Sequence, residues 1–358
     1  MGNLRRNAFK IVVTLDNNSA TIPSECHNLK YKFSRSYFDT LEINENTITI
    51  SGDRSDKPNF DEIFINNQSE IYFQIVKSYI YYCISNDSIC DILEIRCYNK
   101  NNILEKKYTR SGIRNLRARH NTSSLKMINK AKAAVIFDAT TDSTKYFYAM
   151  TTLVRSICSD DNNDIFEKLW KSYNSIYRSL STKKQEWQCL EDMGRLMVTT
   201  PTQFPLAIDV VRNLTSADIS DSIRWRKMLE NKFITRGGQN NRESNFSAFL
   251  TKYNDFRLNE LALNSIDIEK NFWVDQNLKT ATSTAIQNKI AANATHHAEL
   301  VDVLCNNYAY FLRNKTLHGE QADHSFRFIP DNKEEKSLKF TSKILFAVVC
   351  DLINSHTL

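Results

Sequence analysis

The amino-acid sequence predicts an α+β protein, with a small mixed α/β N-terminal domain followed by a larger all-α C-terminal domain. The 358 residues include only 7 glycines and 5 prolines, so tight turns are few and long elements should prevail. β-branched and aromatic residues alternate with polar residues mainly before residue 100. From about Ser123, apolar residues recur at helical spacing. We therefore predict domains at residues 1–110 and 111–358.

The N-terminal domain should combine strands with one helix. Alternation predicts strands at residues 9–15, 29–33, 41–50 and 93–97. Residues 70–85 are apolar nearly all round and have the length of a buried helix, although their isoleucine and tyrosine content would also suit a strand. No nucleotide-binding glycine loop, metal cluster or nucleophile and base signature occurs here. We interpret this domain as one that recognises a ligand or contacts a partner.

Positive charge is concentrated near the predicted domain boundary. The stretch from Lys100 to Phe137 contains ten basic residues and one acidic residue, Glu105, whereas the whole chain has a formal net charge of only +6. Such a local basic surface is typical of contact with a phosphate backbone, but a solvated linker can have the same composition. The candidate RNA-binding residues are Arg110, Arg114, Arg117, Arg119 and Lys126.

The C-terminal domain should consist of amphipathic helices. Asp164 can cap a helix with one apolar stripe. The stripe comprises Phe166, Leu169, Trp170, Tyr173, Ile176, Tyr177 and Leu180. Further helices are predicted at residues 216–233, 245–263, 286–312 and 337–355, and Pro201 and Pro205 mark a loop.

A polar cluster follows directly after the predicted helix at residues 286–312. Arg313 and Asn314 come first, His318 lies one turn after Asn314, and Gly319 is a residue type that commonly ends a helix. The negative end of the helix dipole favours the imidazolium form of a histidine in the last turn. We expect the charge of Arg313 to point toward solvent or substrate.

This pattern, Arg-Asn, three residues and then His-Gly after a penultimate helix, resembles the HEPN ribonuclease superfamily. The resemblance extends over roughly residue 123 to the C-terminus, through the aromatic stripe and a long final helix. It implies a HEPN-like helical domain with a metal-independent endoribonuclease site formed by Arg313, Asn314 and His318. It also implies a homodimer with facing sites, and a bacterial anti-phage defence or toxin role with a regulatory protein or phage-derived trigger as a further partner.

The residue types suit RNA cleavage by attack of a ribose 2′-hydroxyl. His318 can act as acid or base, and the planar guanidinium of Arg313 can hold the phosphate. Asn314 can orient either the imidazole or the phosphate. Because each chain offers one histidine at this place, a second chain would supply the complementary group. No cofactor or metal is predicted, since the adjacent His296 and His297 point about 100° apart on a helix.

A second, looser match lies in the basic stretch. Arg114 and Asn115 are followed by His120, but the surroundings are polar and no apolar helix precedes them. For Arg313 and His318 the simpler alternative is an ordinary arginine and histidine at a helix C-terminus. Because an apolar helix leads into Arg313, we assign the catalytic site there.

Two other function classes remain open. One is a catalytically inactive helical module that binds RNA, a nucleotide or a protein partner. The other is a metal-dependent hydrolase, which is disfavoured because the sequence contains no cluster of carboxylates and histidines at the spacing of metal ligands. The 8 cysteines include no Cys-x-x-Cys pair and are interpreted as reduced thiols of a cytoplasmic protein. No apolar run is long enough to predict a membrane span.

Overall fold

The computed structural model describes residues 7–17, 24–31, 37–66, 69–119, 122–235, 241–317 and 332–356. The chain divides into two compact units. The N-terminal unit comprises Met1–Asp160 and Ile353–Leu358, and the C-terminal unit comprises Asp161–Leu352. The helices within residues 122–157 belong to the N-terminal unit.

An antiparallel sheet forms the body of the N-terminal unit. Its strands are β1 (Asn7–Leu15), β2 (Glu25–Lys30), β3 (Phe38–Asn44), β4 (Thr47–Arg54), β5 (Ile92–Asn99) and β6 (Leu104–Thr109), in the order β2-β3-β4-β1-β5-β6. In β1, Phe9, Ile11, Val13 and Leu15 are buried, whereas Lys10 is exposed. This alternation is the period-two pattern that places apolar side chains on one face of a strand.

The strands correct the sequence prediction in two places. Residues 41–50 form parts of two strands, joined by a turn at Glu45 and Asn46, so that Ile43 pairs with Ile48. The strand β6 was not predicted, because Lys106 and Lys107 interrupt the apolar alternation. A strand at the edge of a sheet tolerates such charges, and they protect the edge from pairing with other chains.

The predicted helix at residues 70–85 is confirmed as α1 (Glu70–Ser85). Its Tyr82 hydroxyl donates to the Glu45 carbonyl oxygen (2.6 Å), and its Tyr79 hydroxyl donates to the Cys90 carbonyl oxygen (2.9 Å). These bonds fix α1 to the ends of the strands. The remaining elements of the unit are 3₁₀ turns at Arg110–Gly112, Thr122–Met127 and Ala134–Phe137, and the helices α2 (Lys130–Ala133) and α3 (Thr141–Ile157).

In its described residues, the C-terminal unit consists of helices and loops. The helices are α4 (Asn162–Leu180), α5 (Glu186–Thr199), α6 (Pro205–Val211), α7 (Ser216–Ser222), α8 (Trp225–Glu230), α9 (Arg242–Leu250), α10 (Phe256–Leu263), α11 (Gln276–Ala292), α12 (His297–Asp302), α13 (Ala309–Leu317) and α14 (Lys333–Ser355). A first π-helical segment (Asn231–Thr235) follows α8, and a second (Val303–Tyr308) joins α12 to α13. The α+β class, with a sheet before a helical region, is thus confirmed.

The aromatic stripe of α4 lies in the core. Phe166, Tyr173 and Tyr177 are fully buried, but Leu180 at the end of the stripe is half exposed. The helix begins one turn earlier than predicted: the Asp161 side chain, not that of Asp164, accepts a bond from a backbone amide of the first turn (2.9 Å). The capping residue type was therefore right and its position wrong.

The single helix predicted at residues 286–312 is interrupted. It stops at Asn293, which has the left-handed φ of 48°, and resumes at His297 as α12. Asparagine tolerates this conformation at a helix end. Residues 216–233 and 245–263 are likewise divided, and Pro205 begins α6 rather than lying in a loop. Apolar spacing continues across each break, so periodicity alone does not reveal it.

Candidate functional site

The predicted catalytic residues Arg313 and Asn314 lie on α13, in the turn after a packed apolar stretch. Tyr308, Phe311 and Leu312 are buried and hold this helix in the core of the C-terminal unit. Arg313 keeps 24% of its side chain exposed, whereas Asn314 is 6% exposed. Of the two residues, Arg313 therefore presents the larger surface to a ligand from solvent.

The Arg313 guanidinium contacts protein groups as well as solvent. Its Nη1 donates to Asn314 Oδ1 (2.9 Å) and lies 3.6 Å from Glu186 Oε2. Its Nε is buried and has no hydrogen-bond partner among the described residues. A guanidinium can donate five bonds, so this arginine has donors left for an additional acceptor.

Glu186 reaches Arg313 from the first turn of α5. A carboxylate is stabilised there by the positive end of the helix dipole. Its other oxygen accepts from the Tyr177 hydroxyl (3.0 Å), and both carboxylate and hydroxyl are mostly covered. Burial, and then the charge of Glu186, raise the pKa of Tyr177, so this hydroxyl stays protonated and donates to the carboxylate. The carboxylate is thereby held in front of the guanidinium.

His318 and Gly319 lie outside the described residues, and so does His120 of the looser match. The structure does describe Asn115, the amide of that second match. Its Oδ1 accepts from the Ile92 backbone amide (2.7 Å), and its Nδ2 donates to the Ile92 carbonyl oxygen (3.1 Å). Asn115 therefore serves to hold the start of β5.

The basic candidates are distributed over turns of the N-terminal unit, and all five are exposed. Arg110 lies 2.5 Å from an oxygen of Asp91, and Arg119 lies 3.4 Å from an oxygen of Asp160. Arg114, Arg117 and Lys126 form no ion pair with any described residue. These last three are the most available for phosphate, because no carboxylate of the described residues pairs with them.

A cavity of about 410 Å³ lies beside Asn314 in the C-terminal unit. Both π segments line it: the first contributes Asn231 and Lys232, and the second contributes Asn306 and Asn307. π-helical turns occur frequently at functional sites, because the widened turn redirects neighbouring side chains. The cavity was not predicted. The sequence signal that could have indicated one side of the cavity is the pair Asn306 and Asn307 within an otherwise apolar predicted helix.

Lys232 projects into this cavity and keeps an exposed surface. Its Nζ donates to Asn307 Oδ1 (3.0 Å) and lies 4.3 Å from the centroid of the Phe249 ring. The protein around the ammonium reduces its contact with water. This desolvation, and then the charge of Lys252, lower the pKa of Lys232 to about 8. Among the described residues, no carboxylate lies within ion-pair distance of this ammonium.

Asp302 forms the polar floor of the cavity and is 3% exposed. It accepts from the Tyr253 hydroxyl (3.0 Å) and from Asn306 Nδ2 (2.8 Å), and Lys252 Nζ lies at 3.7 Å. Gly194 of α5 makes room for it, because a Cβ there would lie 2.2 Å from an Asp302 oxygen. Asp302 is therefore a satisfied buried carboxylate that pairs with Lys252. It lies beyond ion-pair distance of Lys232, although its charge and that of Glu191 oppose the lowering of the Lys232 pKa.

Within the residues that the structure describes, no group of three or more histidine, cysteine, aspartate and glutamate side chains is arranged to hold a metal ion. Nor does any described helix have the length and apolarity needed to cross a membrane. A comparison of the chain with protein-family models, with curated proteins and with solved structures finds no significant match.

Proposed function

We propose that this protein is a metal-independent endoribonuclease of the HEPN type. The observation that supports this most directly is Arg313, which follows a packed helix, shares a hydrogen bond with Asn314 and has an Nε without a hydrogen-bond partner among the described residues. In this proposal, Asn314 positions the guanidinium through its side-chain oxygen. The guanidinium then neutralises the phosphate on which charge develops during cleavage.

His318 supplies the proton transfer in this proposal. As base, it takes the proton from the ribose 2′-hydroxyl; the 2′-oxygen attacks the phosphorus, and the bond to the 5′-oxygen breaks. The leaving 5′-oxygen needs a proton at the same time. A histidine from a second subunit would deliver it, which is the chemical reason for a homodimer with facing sites. The proposed cellular role is bacterial defence or toxicity, released by a regulatory protein or a phage-derived trigger.

The test is incubation of the purified protein with labelled RNA in EDTA. Cleavage in EDTA supports the proposed activity. Cleavage only after a divalent metal is added would indicate a metal-dependent hydrolase and contradict it. Expression of the wild type beside His318→Ala, with no difference in growth or phage resistance, would count against the cellular role.

The second candidate function is a helical module that binds RNA or a partner without cutting. The Glu186 carboxylate favours it, because it already occupies part of the Arg313 guanidinium, at 3.6 Å. The burial of Asn314 points the same way. Binding of RNA in EDTA with no cleavage would support this alternative over the nuclease.

Replacing Glu186 with glutamine should strengthen RNA binding by about two- to tenfold, because a partly covered ion pair that competes with phosphate is worth about 0.4–1.4 kcal/mol. Glutamine can still accept the Tyr177 hydrogen bond. The measurement is fluorescence anisotropy with labelled single-stranded RNA, in the His318→Ala background so that the RNA stays intact. The control is Glu167→Gln, which changes the charge equally in an exposed pair with Lys171. An equal gain from both variants would show a mere effect of net charge.

The double variant Arg114→Glu and Arg117→Glu should weaken RNA binding and flatten its dependence on salt. Two lost contacts to single-stranded RNA reduce the slope of log affinity against log salt by about 1.4. The control reverses Lys10 and Arg155, which are exposed in the same unit but lie outside the basic stretch. Unchanged affinity in the first variant, or equal loss in both, would leave the basic stretch as a linker.

A further inference from the structure

The cavity between the two π segments has the properties of a ligand site. Its volume of about 410 Å³ falls within the range of roughly 300–1,000 Å³ that is usual for small-molecule sites. The walls are largely apolar, formed by side chains such as Leu190, Met228, Phe249 and Phe311, with Trp187 half exposed at the side. A flat apolar body would bury its surface against these rings.

Charge is placed unevenly around this cavity. Lys252 has Asp302 as a counter-ion, whereas Lys232 is held by an amide oxygen and an aromatic face. Glu191 also lines the cavity but forms no ion pair with Lys232. An ammonium whose partners among the described residues are an amide oxygen and an aromatic ring gains an ion pair from an anion that arrives with a ligand.

We propose that this cavity binds a small organic anion, with its carboxylate or phosphate paired to Lys232 and its flat, unsaturated body packed against the apolar wall of the cavity. Asn231 and Asn307 supply amide groups for polar atoms at the edge of that body. This site is distinct from the proposed cleavage chemistry, although Asn314 contributes to its wall.

The lowered pKa of Lys232, about 8, agrees with this arrangement. Most of the ammonium is still protonated at neutral pH, so it can pair with an anion. A bound anion would stabilise the charged form of the ammonium and raise the pKa of Lys232 again.

The experiment is isothermal titration with two matched pairs of probes at pH 7: 2-naphthoate against 2-naphthamide, and adenosine monophosphate against adenosine. At least one anion should bind about tenfold or more tightly than its neutral partner, as expected for a hydrogen bond to a charged group. Binding of the carboxylate alone identifies an aromatic acid as the ligand class, and binding of the phosphate alone identifies a nucleotide. Each of these results supports the proposal.

Lys232→Met keeps the length of the side chain and removes its charge, so it should weaken binding of that anion about tenfold and leave the neutral partner unaffected. The matched control is Lys227→Met, an exposed lysine of α8 outside the cavity. Equal affinity for anion and neutral partner, no binding of either anion at millimolar concentration, or an equal loss in both variants overturns the proposal. These titrations contain no RNA, so failure of the nuclease proposal and failure of this one are separable.

Discussion

We expect single-turnover RNA cleavage to fall by a factor of about 10² to 10⁴ when His318 or Arg313 is replaced by alanine. His318→Ala removes the group that transfers the proton. Arg313→Ala removes the charge that lies beside Asn314 and faces Glu186. Because 24% of the Arg313 side chain is exposed, its loss should leave the helical core folded, as melting curves of each variant would check.

The matched control is His120→Ala, in the looser Arg and His match. Asn115 of the same match is already hydrogen-bonded to the backbone amide and the carbonyl oxygen of Ile92, so its side chain has a structural role. Cleavage at saturating protein should therefore change little in this variant. If His120→Ala stops the reaction and His318→Ala does not, the site assignment is wrong and the C-terminal residues only end a helix.

Replacing Arg257 with methionine should lower the free energy of unfolding by about 3–5 kcal/mol, the usual cost of leaving one member of a buried ion pair alone. Arg257 is 1% exposed, and its Nη2 lies 2.8 Å from the fully buried Asp255 carboxylate. Its Nη1 donates to the carbonyl oxygens of Val211 (2.8 Å) and Leu214 (3.1 Å). One side chain thus joins the start of α10 to the end of α6.

His297 completes the surroundings of this arginine. Arg257 Nη2 can only donate, so His297 Nδ1 accepts at 3.1 Å. Burial, and then the Arg257 charge, lower the pKa of His297, which favours the neutral imidazole that can accept this bond. The control is Arg212→Met, from a pair with Asp209 in which both side chains are more than half exposed; its cost should stay below about 1 kcal/mol. Equal losses in urea unfolding of the two variants would contradict the structural role of Arg257.

Several features of the fold follow from local pattern. Residues 70–85 form the expected helix because one apolar run supplies a whole buried element. The apolar alternation of β1 likewise predicted a strand, which begins two residues earlier than expected. The points where helices are interrupted were harder to predict. Asn293 ends α11 with a left-handed backbone conformation, but the apolar spacing continues past it. The charged edge strand β6 was missed for the opposite reason, since its pattern lacks apolar alternation.

The candidate site shows the limit of a linear pattern more clearly. Arg313 and Asn314 could be selected from sequence because they are neighbours after an apolar helix. Glu186 could not, because it is far away in the chain and only the fold brings its carboxylate to Arg313. The position of Lys232 beside Asn307 likewise depends on two π segments brought together by the fold. Contacts between helices that are distant in the chain decide which charged side chains are available to ligands. Residue spacing along the sequence does not predict these contacts.

Analysis of the ends of the RNA products tests the central claim most directly. Labelled RNA is incubated with purified protein in EDTA, and the fragments are examined for their terminal groups. Attack by a ribose 2′-hydroxyl, as proposed for Arg313 and His318, predicts 2′,3′-cyclic phosphate and 5′-hydroxyl ends, absent with His318→Ala. Products with 3′-hydroxyl and 5′-phosphate ends, or cyclic phosphate formed equally by His318→Ala, would contradict it.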